Sequence, residues 1–289
     1  MWKLTPPNVD SVEQDLLDAF TFKIDRPPVI EPTAAEITAV KALYSAYDAN
    51  LGRPADSLKG EVLGAELREA IKNAYGEVQE TGRLKDLRSR LKLAPAHCPM
   101  CGFGPIQDLD HHLPKSIYKP LAIYPRNLVP SCSTCNKKKY TVAAGESSKH
   151  FFHVYLESLP DEIFFVADVA LDPISGALRV EFSIQRPEAM SEELAQRLTF
   201  QADRLELNLR YPKEINTYLS SLSVSLEDAY GEEGNAEKLK NYLVRCASSH
   251  ETKFGKNDWR PALLRGLALC EAFCNGGFRR ALGNPNVGA

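Results

Sequence analysis

Two pairs of closely spaced cysteines have the spacing in this sequence that most directly predicts chemistry. Cys98 and Cys101 form one Cys-X-X-Cys pair, and Cys132 and Cys135 form another, with thirty residues between the pairs. Thiolates at this spacing can bind one zinc ion, and two pairs complete its tetrahedral shell. The sequence therefore predicts a structural Zn²⁺ with four cysteine ligands and no open position for substrate.

Other cysteines and histidines are predicted to have no direct chemical role. Cys270 and Cys274 are four residues apart in an apolar stretch, which favours packing in the core over metal binding. His97 precedes the first cysteine pair and is predicted to be a neighbour of the zinc site, because four cysteines already fill the shell. His150 and His153 are predicted to be ordinary packing or surface residues.

A second group of polar residues lies in or just after the segment between the cysteine pairs. Asp110, His111 and His112 are consecutive, Asn127 follows, and Asn136 comes directly after the last cysteine of the second pair. An imidazole can accept a proton from water at neutral pH, and carboxylate and amide oxygens bind hard divalent cations. These residue types could together support metal-assisted hydrolysis.

The whole pattern resembles the HNH, or ββα-metal, nuclease family. In that family an Asp-His pair ends a first strand, an Asn lies in the next loop, and an Asn or His lies on the following helix, often with flanking Cys-X-X-Cys pairs. The resemblance covers about 45 of the 289 residues. It implies that Asp110 and Asn136 bind a catalytic Mg²⁺ or Mn²⁺, that His111 is the general base, and that Asn127 braces the loop. The implied products carry a 5′-phosphate and a 3′-hydroxyl.

Each of these assignments has an alternative. His112 is adjacent to His111, and strand alternation would point the two rings to opposite faces; His111 is favoured because it directly follows Asp110. The alternative role for Asn127 is that of a simple turn residue. The alternative role for Asn136 is that of a helix cap after the cysteine pair.

The charge distribution favours nucleic-acid binding at this segment alone. The formal net charge of the chain is −3, yet residues 111 to 140 contain six basic residues and no Asp or Glu, so the remainder carries −9. Four of these six basic residues are predicted to contact phosphates: Lys115, Lys137, Lys138 and Lys139. The alternative for Lys137 to Lys139 is a solvated helix face.

The flanking sequence predicts a predominantly helical α+β protein. Apolar residues recur at helical spacing over residues 34 to 50 and 57 to 91, and a Pro- and Gly-containing turn at 172 to 176 predicts a β-hairpin. Further helices are predicted from Ser191 and at about 213 to 229, 236 to 249 and 258 to 275. Three regions result: residues 1–94, an N-terminal helical region; 95–149, an HNH module with structural zinc; and 150–289, a hairpin with helices.

The sequence predicts a cytoplasmic protein without a membrane span, because it has neither an apolar leader nor an uncharged apolar run of about 20 residues. The leading hypothesis is a DNA endonuclease that resembles HNH effectors of anti-phage defence, with a regulatory partner such as an ATPase. An RNase or toxin-like nuclease with the same site is an alternative. A non-catalytic zinc-binding adaptor for nucleic acid or protein is another.

Overall fold

The computed structural model of this chain describes residues 3–21, 28–93, 95–141 and 147–283, which belong to two compact units. The first unit is Lys3–Ser158, and the second begins at Leu159. The N-terminal helices and the segment with the two cysteine pairs thus share one unit. The division into three regions stays a prediction about the organisation of the sequence.

The described residues of the first unit form four helices, then two strands and a short helix. The helices are α1 (Val12–Phe20), α2 (Ala34–Ala49), α3 (Ala65–Ala74) and α4 (Lys85–Leu93); the strands are β1 (Asp108–His111) and β2 (Leu128–Ser131), and α5 is Ser133–Lys139. Single turns of 3₁₀ helix at Asp56–Lys59, Tyr75–Val78, Lys119–Leu121, Pro125–Asn127 and Ser147–Lys149 connect them. The order β1, β2, α5 is the ββα order that the sequence predicts.

Helix α2 illustrates why the N-terminal helices form and what they bury. Thr33 accepts a hydrogen bond from the Glu36 amide while the Glu36 carboxylate accepts one from the Thr33 amide, so the first turn is capped reciprocally. The face that carries Val40, Tyr44 and Tyr47 is buried in a core shared with the strands and the loop between them. This shared core makes the helices a scaffold for the motif segment.

Strands β1 and β2 pair antiparallel, and the loop of residues 112–127 joins them. Asp108 is opposite Ser131, and His111 is opposite Leu128. Successive side chains of a strand point to opposite faces, so Asp108 and Asp110 share one face of β1. Helix α5 begins almost directly after β2. The Cys132 sulfur accepts a hydrogen bond from the Cys135 amide and so caps the N-terminus of the helix.

The second unit combines the predicted hairpin with helices. Its strands are β3 (Phe165–Leu171) and β4 (Leu178–Ile184), which pair antiparallel. Its helices are α6 (Glu192–Arg204), α7 (Leu207–Ser221), α8 (Ser223–Tyr230), α9 (Ala236–Phe254), α10 (Trp259–Leu269) and α11 (Phe278–Ala281). Helix α10 packs on β3 through Gly266, where a Cβ atom would lie 2.5 Å from the Ala167 carbonyl oxygen. The α+β class predicted from the sequence is confirmed.

The last predicted helix, residues 258 to 275, is shorter than the sequence indicates. Helix α10 ends at Leu269, because the Cys270 backbone is extended, and a wide turn at Phe273–Gly277 follows. Cys270 and Cys274 therefore do not lie on one regular helix, although both are buried as predicted. Within the described ranges, every helix is too short or too polar to cross a membrane.

Candidate metal centre and active site

The four cysteines of the two pairs form one buried cluster. Their sulfur atoms all lie within 4.8 Å of one another, and the Cys101 and Cys132 sulfurs are 3.9 Å apart. Four sulfurs about 2.3 Å from one zinc ion are separated by about 3.8 Å in a regular tetrahedron, so this spacing suits the ion. The cluster is compatible with a structural zinc site.

Two glycines allow the first cysteine pair to turn tightly around this cluster. Gly102 has a φ of +79°, a conformation that other residues rarely adopt. At Gly104 a Cβ atom would lie 2.8 Å from the Cys132 sulfur, so any other side chain would collide with a ligand. The Gly104 amide donates to the Cys101 sulfur at 3.4 Å, and the Cys135 amide donates to the Cys132 sulfur at the same distance. Both amides therefore face sulfur, which favours the thiolates that bind metal.

A second group of oxygen atoms lies where β1 meets α5. The Asn136 amide nitrogen donates to the Asp108 carboxylate at 3.1 Å, on the strand face that Asp110 shares. Within the described part of the chain, the Asn136 side-chain oxygen has no hydrogen-bond partner. Carboxylate and amide oxygens are the kinds of ligand that hard cations prefer. The helix-cap alternative for Asn136 is wrong, because Cys132 caps α5.

Asp110 is buried and forms an ion pair with Lys139. Its Oδ2 atom lies 2.9 Å from the Lys139 ammonium, and the exposed fractions of the two side chains are only 6% and 2%. Burial raises the pKa of Asp110, and the nearby Lys139 charge opposes that rise. The Lys139 ammonium also donates to the His111 carbonyl at 2.7 Å. Lys139 thus ties the helix to the end of the strand.

The buried ion pair with Asp110 changes the role that was predicted for Lys139. A lysine whose ammonium is buried against Asp110 and a backbone carbonyl is not part of a surface that meets phosphate. The lysine run does not lie on one face, because successive residues of a helix are about 100° apart. Lys137 is exposed and Lys138 partly so, and their phosphate contact stays a prediction.

We expect Lys139→Met to lower the free energy of unfolding by about 3 kcal/mol, because it leaves the Asp110 charge buried without its partner. Adding Mg²⁺ should recover part of this loss if the cation binds Asp110. The measurement is chemical denaturation with and without Mg²⁺, and Lys137→Met, an exposed change on the same helix, is the matched control. Equal stability of the two variants would contradict the role of the ion pair.

His111 is oriented by a backbone carbonyl at the end of β1. Its Nε2 atom lies 2.9 Å from the Ala122 carbonyl oxygen, which can only accept, so Nε2 carries the proton. Nδ1 is then the atom with the free lone pair, and none of the described residues hydrogen-bonds to it. Burial lowers the pKa of His111 to about 3, so the ring is uncharged at neutral pH. This tautomer can accept a proton at Nδ1.

Tyr75, outside the motif segment, packs against both His111 and Lys115. Its ring meets the His111 ring edge to face at a centroid distance of 4.3 Å, and its hydroxyl donates to the Leu109 carbonyl at 2.8 Å. The Lys115 ammonium lies over the same ring, 4.2 Å from its centre. Burial lowers the pKa of Lys115. Within the described ranges no carboxylate pairs with Lys115, so its charge is available to an anion.

If the segment binds DNA, as its charge predicts, Lys115→Gln should weaken that binding and reduce the slope of log affinity against log salt by about 0.9, the value for one lost phosphate contact on a duplex. Fluorescence anisotropy over a series of salt concentrations would measure this. The matched control is Lys41→Gln, because the Lys41 ammonium is already paired with Glu13. An unchanged slope for Lys115→Gln would exclude the contact.

Asn127 is fully buried and its side chain braces the loop between the strands. Its Oδ1 atom accepts from the Leu113 amide at 2.8 Å. Its Nδ2 atom donates to the carbonyls of Leu113 and Leu121 at 3.1 and 3.0 Å. The side chain therefore joins both ends of the loop, which is the geometry expected of a bracing residue.

The remaining histidines of this unit differ in position. His112 is buried, and its ring packs against that of His153 at a centroid distance of 4.1 Å. This packing is away from the Ala122 carbonyl that orients His111, so the structure separates the two adjacent rings. His97 is partly buried next to the four-cysteine cluster, and His150 is partly buried.

Three residues of this site were not predicted from the sequence. Asp108 had a detectable signal, because it precedes Asp110 by two residues and therefore shares its strand face. Tyr75 had none, since a contact across thirty-six positions depends on tertiary packing. His153 was predicted to be an ordinary packing or surface residue, and it does pack, buried, against His112; its hydrogen bond with Tyr47 was not predicted.

The fold and the site define a ββα unit with an acid, an imidazole and an amide where its first strand meets its helix, and a four-cysteine cluster beside it. The cluster is compatible with a zinc-binding HNH module. No protein-family model and no solved structure matches the chain. Protein ea31 of Escherichia phage lambda is 31% identical to it over 191 residues, which cover 62% of this chain and 64% of that protein. The match spans less than two thirds of this relative's length.

Proposed function

We propose that this protein is a metal-dependent HNH endonuclease that hydrolyses phosphodiester bonds in DNA. The observation that carries the proposal is the orientation of His111, whose Nε2 atom donates to the Ala122 carbonyl and whose Nδ1 atom keeps its lone pair. A general base needs a free lone pair that is held in one place. His111 has that lone pair directly after Asp110 at the end of β1.

In this proposal His111 removes a proton from the attacking water through Nδ1. Asp110 and Asn136, with Asp108 beside them, would hold Mg²⁺ or Mn²⁺, which supplies Lewis-acid stabilisation of the charge that develops on the phosphate. Lys115 holds an adjacent phosphate of the substrate, while Asn127 keeps the loop in place. The buried Lys139 offsets one of the two negative charges on β1.

The four cysteines would hold a structural Zn²⁺ in this proposal. A shell of four protein ligands has no position for water or phosphate, so the ion stabilises the fold and takes no part in hydrolysis. The cluster joins the segment before β1 to the start of α5. Zinc would thereby fix the two elements that carry Asp110 and Asn136.

The direct test is cleavage of supercoiled plasmid by the purified protein with Mg²⁺, with Mn²⁺ and without an added divalent ion. We expect nicked and linear DNA only when a divalent ion is present. Single-stranded DNA and RNA of matched sequence should be included, because an RNase with the same site would cut the RNA alone. Absence of cleavage of every substrate, with a folded and zinc-loaded protein, would favour the adaptor alternative.

A role in anti-phage defence and regulation by a partner such as an ATPase belong to the proposal as well, as does the cytoplasmic location. The defence role and the partner rest on the resemblance of the motif segment and its flanks to HNH effectors. Plaque counts on cells that express the wild type or an inactive His111 variant would test the defence role. Both proteins should be expressed together with the products of the neighbouring genes, so that a partner is present.

A further inference from the structure

A chain of buried hydrogen bonds leads from outside the motif segment to the loop that orients His111. His153 follows the segment, and Tyr47 lies on helix α2. The Tyr47 hydroxyl lies 2.7 Å from the His153 Nε2 atom and 3.1 Å from the Asn127 Oδ1 atom. All three residues are completely buried. A polar chain in such surroundings needs every partner, because an unpaired buried group costs about 1 to 3 kcal/mol.

The direction of each hydrogen bond in this chain follows from its ends. His153 Nδ1 faces the amides of Tyr155 and Leu156 at 3.2 and 3.3 Å, and amides can only donate, so Nδ1 is the acceptor. Nε2 of the neutral ring then carries the proton and donates to the Tyr47 oxygen. The Tyr47 hydroxyl in turn donates to Asn127. The chain therefore has one consistent arrangement of protons.

The far end of the chain reaches the acceptor of His111. Asn127 donates through Nδ2 to the Leu121 carbonyl, and the next residue, Ala122, supplies the carbonyl that accepts from His111 Nε2. A shift of Asn127 would move the Leu121 and Ala122 backbone together. The orientation of the general base thus depends on Asn127, whose Oδ1 atom is held by Tyr47.

The His153 ring is itself fixed by the backbone around it. A Cβ atom on Gly52 would lie 2.0 Å from the ring, so the chain passes directly over it, and the φ of +71° at Gly52 suits glycine. The His153 amide donates to the Glu157 carboxylate at 2.8 Å. The ring therefore has little freedom to turn away from Tyr47.

We propose that Tyr47 and His153 are positioning residues of the nuclease site, which hold Asn127 and thereby the carbonyl that selects the tautomer and orientation of His111. This inference rests on the proposed function, but its structural part stands without cleavage. It assigns to helix α2 and to the segment after α5 a part in orienting the base. Neither position lies in the resemblance to the HNH pattern.

The test uses Tyr47→Phe, which removes the hydroxyl and keeps the ring. Tyr44→Phe is the matched control, because Tyr44 is buried on the same helix and its hydroxyl makes no hydrogen bond within the described part of the chain. With six histidines in the chain, ¹⁵N-histidine NMR is practical, and His111→Ala assigns the His111 signals. We expect the wild type and Tyr44→Phe to show His111 protonated at Nε2 alone. Tyr47→Phe should shift or broaden these signals.

The kinetic expectation separates positioning from binding. Tyr47→Phe should lower kcat about ten- to a hundredfold with KM unchanged, since a displacement of about 1 Å caused by a remote change can cost about a hundredfold in rate. Tyr44→Phe should keep the wild-type kcat. Zinc content and the melting temperature of each variant show whether it is folded.

Unchanged His111 signals in a folded Tyr47→Phe protein would overturn the inference. If this variant does not fold, His153→Gln and His153→Leu give the same test, because the glutamine amide can donate to Tyr47 and leucine cannot. We expect wild-type His111 signals with glutamine and altered signals with leucine, and identical signals in both would overturn it. A wild type that cuts no substrate would refute the proposed function alone, because the NMR result still decides the positioning.

Discussion

Replacing His111 with alanine should reduce DNA cleavage about 10²- to 10⁴-fold, the usual contribution of a positioned general base. The expected cause is loss of the Nδ1 lone pair, which the Ala122 carbonyl holds in place through Nε2. Removing the uncharged ring leaves the Ala122 carbonyl without its donor, so we expect a loss of about 1 to 3 kcal/mol in stability and a protein that still folds. The measurement is the single-turnover rate on plasmid with saturating Mg²⁺.

The control for this prediction is His150→Ala, a partly buried histidine that has no part in the proposed site. It should cut at the wild-type rate. His111→Ala must also retain zinc and a cooperative thermal transition well above the assay temperature, so that a lost rate reports chemistry. A His111→Ala protein as active as the His150 variant would refute the assignment of the base.

Replacing Cys98 or Cys132 with serine should remove the bound zinc and unfold the ββα unit. Zinc binding to structural sites contributes about 10 to 16 kcal/mol in small domains at neutral pH, so losing one thiolate should remove much of the stability of the first unit. The two variants should be about equally damaging, because each loses one thiolate and a serine at position 132 can still cap helix α5. Zinc content by mass spectrometry and thermal unfolding measure both effects.

The matched control is Cys246→Ser, which changes a partly buried cysteine of helix α9 that lies outside the cluster. It should keep one zinc per chain and the wild-type melting temperature. A wild type purified without metal, whose stability does not respond to zinc or to a chelator, would refute the structural site. A Cys98→Ser protein that keeps its zinc would show that the ion binds elsewhere.

Features coded by nearby residues were predictable from the sequence. The four-cysteine cluster, the ββα order and the hairpin at Phe165–Leu171 and Leu178–Ile184 each depend on short spacings and turn residues. Ser191 was predicted to cap a helix, and it accepts from the Leu194 amide at the start of α6. Local patterns of this kind carry their own physical cause, since the same few residues make the turn or the cap.

Features that depend on distant parts of the chain were not predictable. Lys139 belongs to a run of three lysines that resembles a solvated surface, but one of the three turns inward to Asp110. The contacts of Tyr75 with His111 and of Tyr47 with His153 join residues 36 and 106 positions apart, and no periodicity marks them. The extended Cys270 likewise ends α10 inside a stretch whose apolar pattern continues.

Cys132 both belongs to the four-cysteine cluster and caps α5, and this double use fixes the rotation of that helix about its axis. Each residue turns an α-helix by about 100°, and Asn136 and Lys139 lie four and seven positions after Cys132, one and two turns along. Inserting a single residue before Asn136 would swing both side chains about 100° away from β1. The four-cysteine cluster thus sets the angle at which α5 presents the Asn136 amide and the Lys139 ammonium to Asp108 and Asp110.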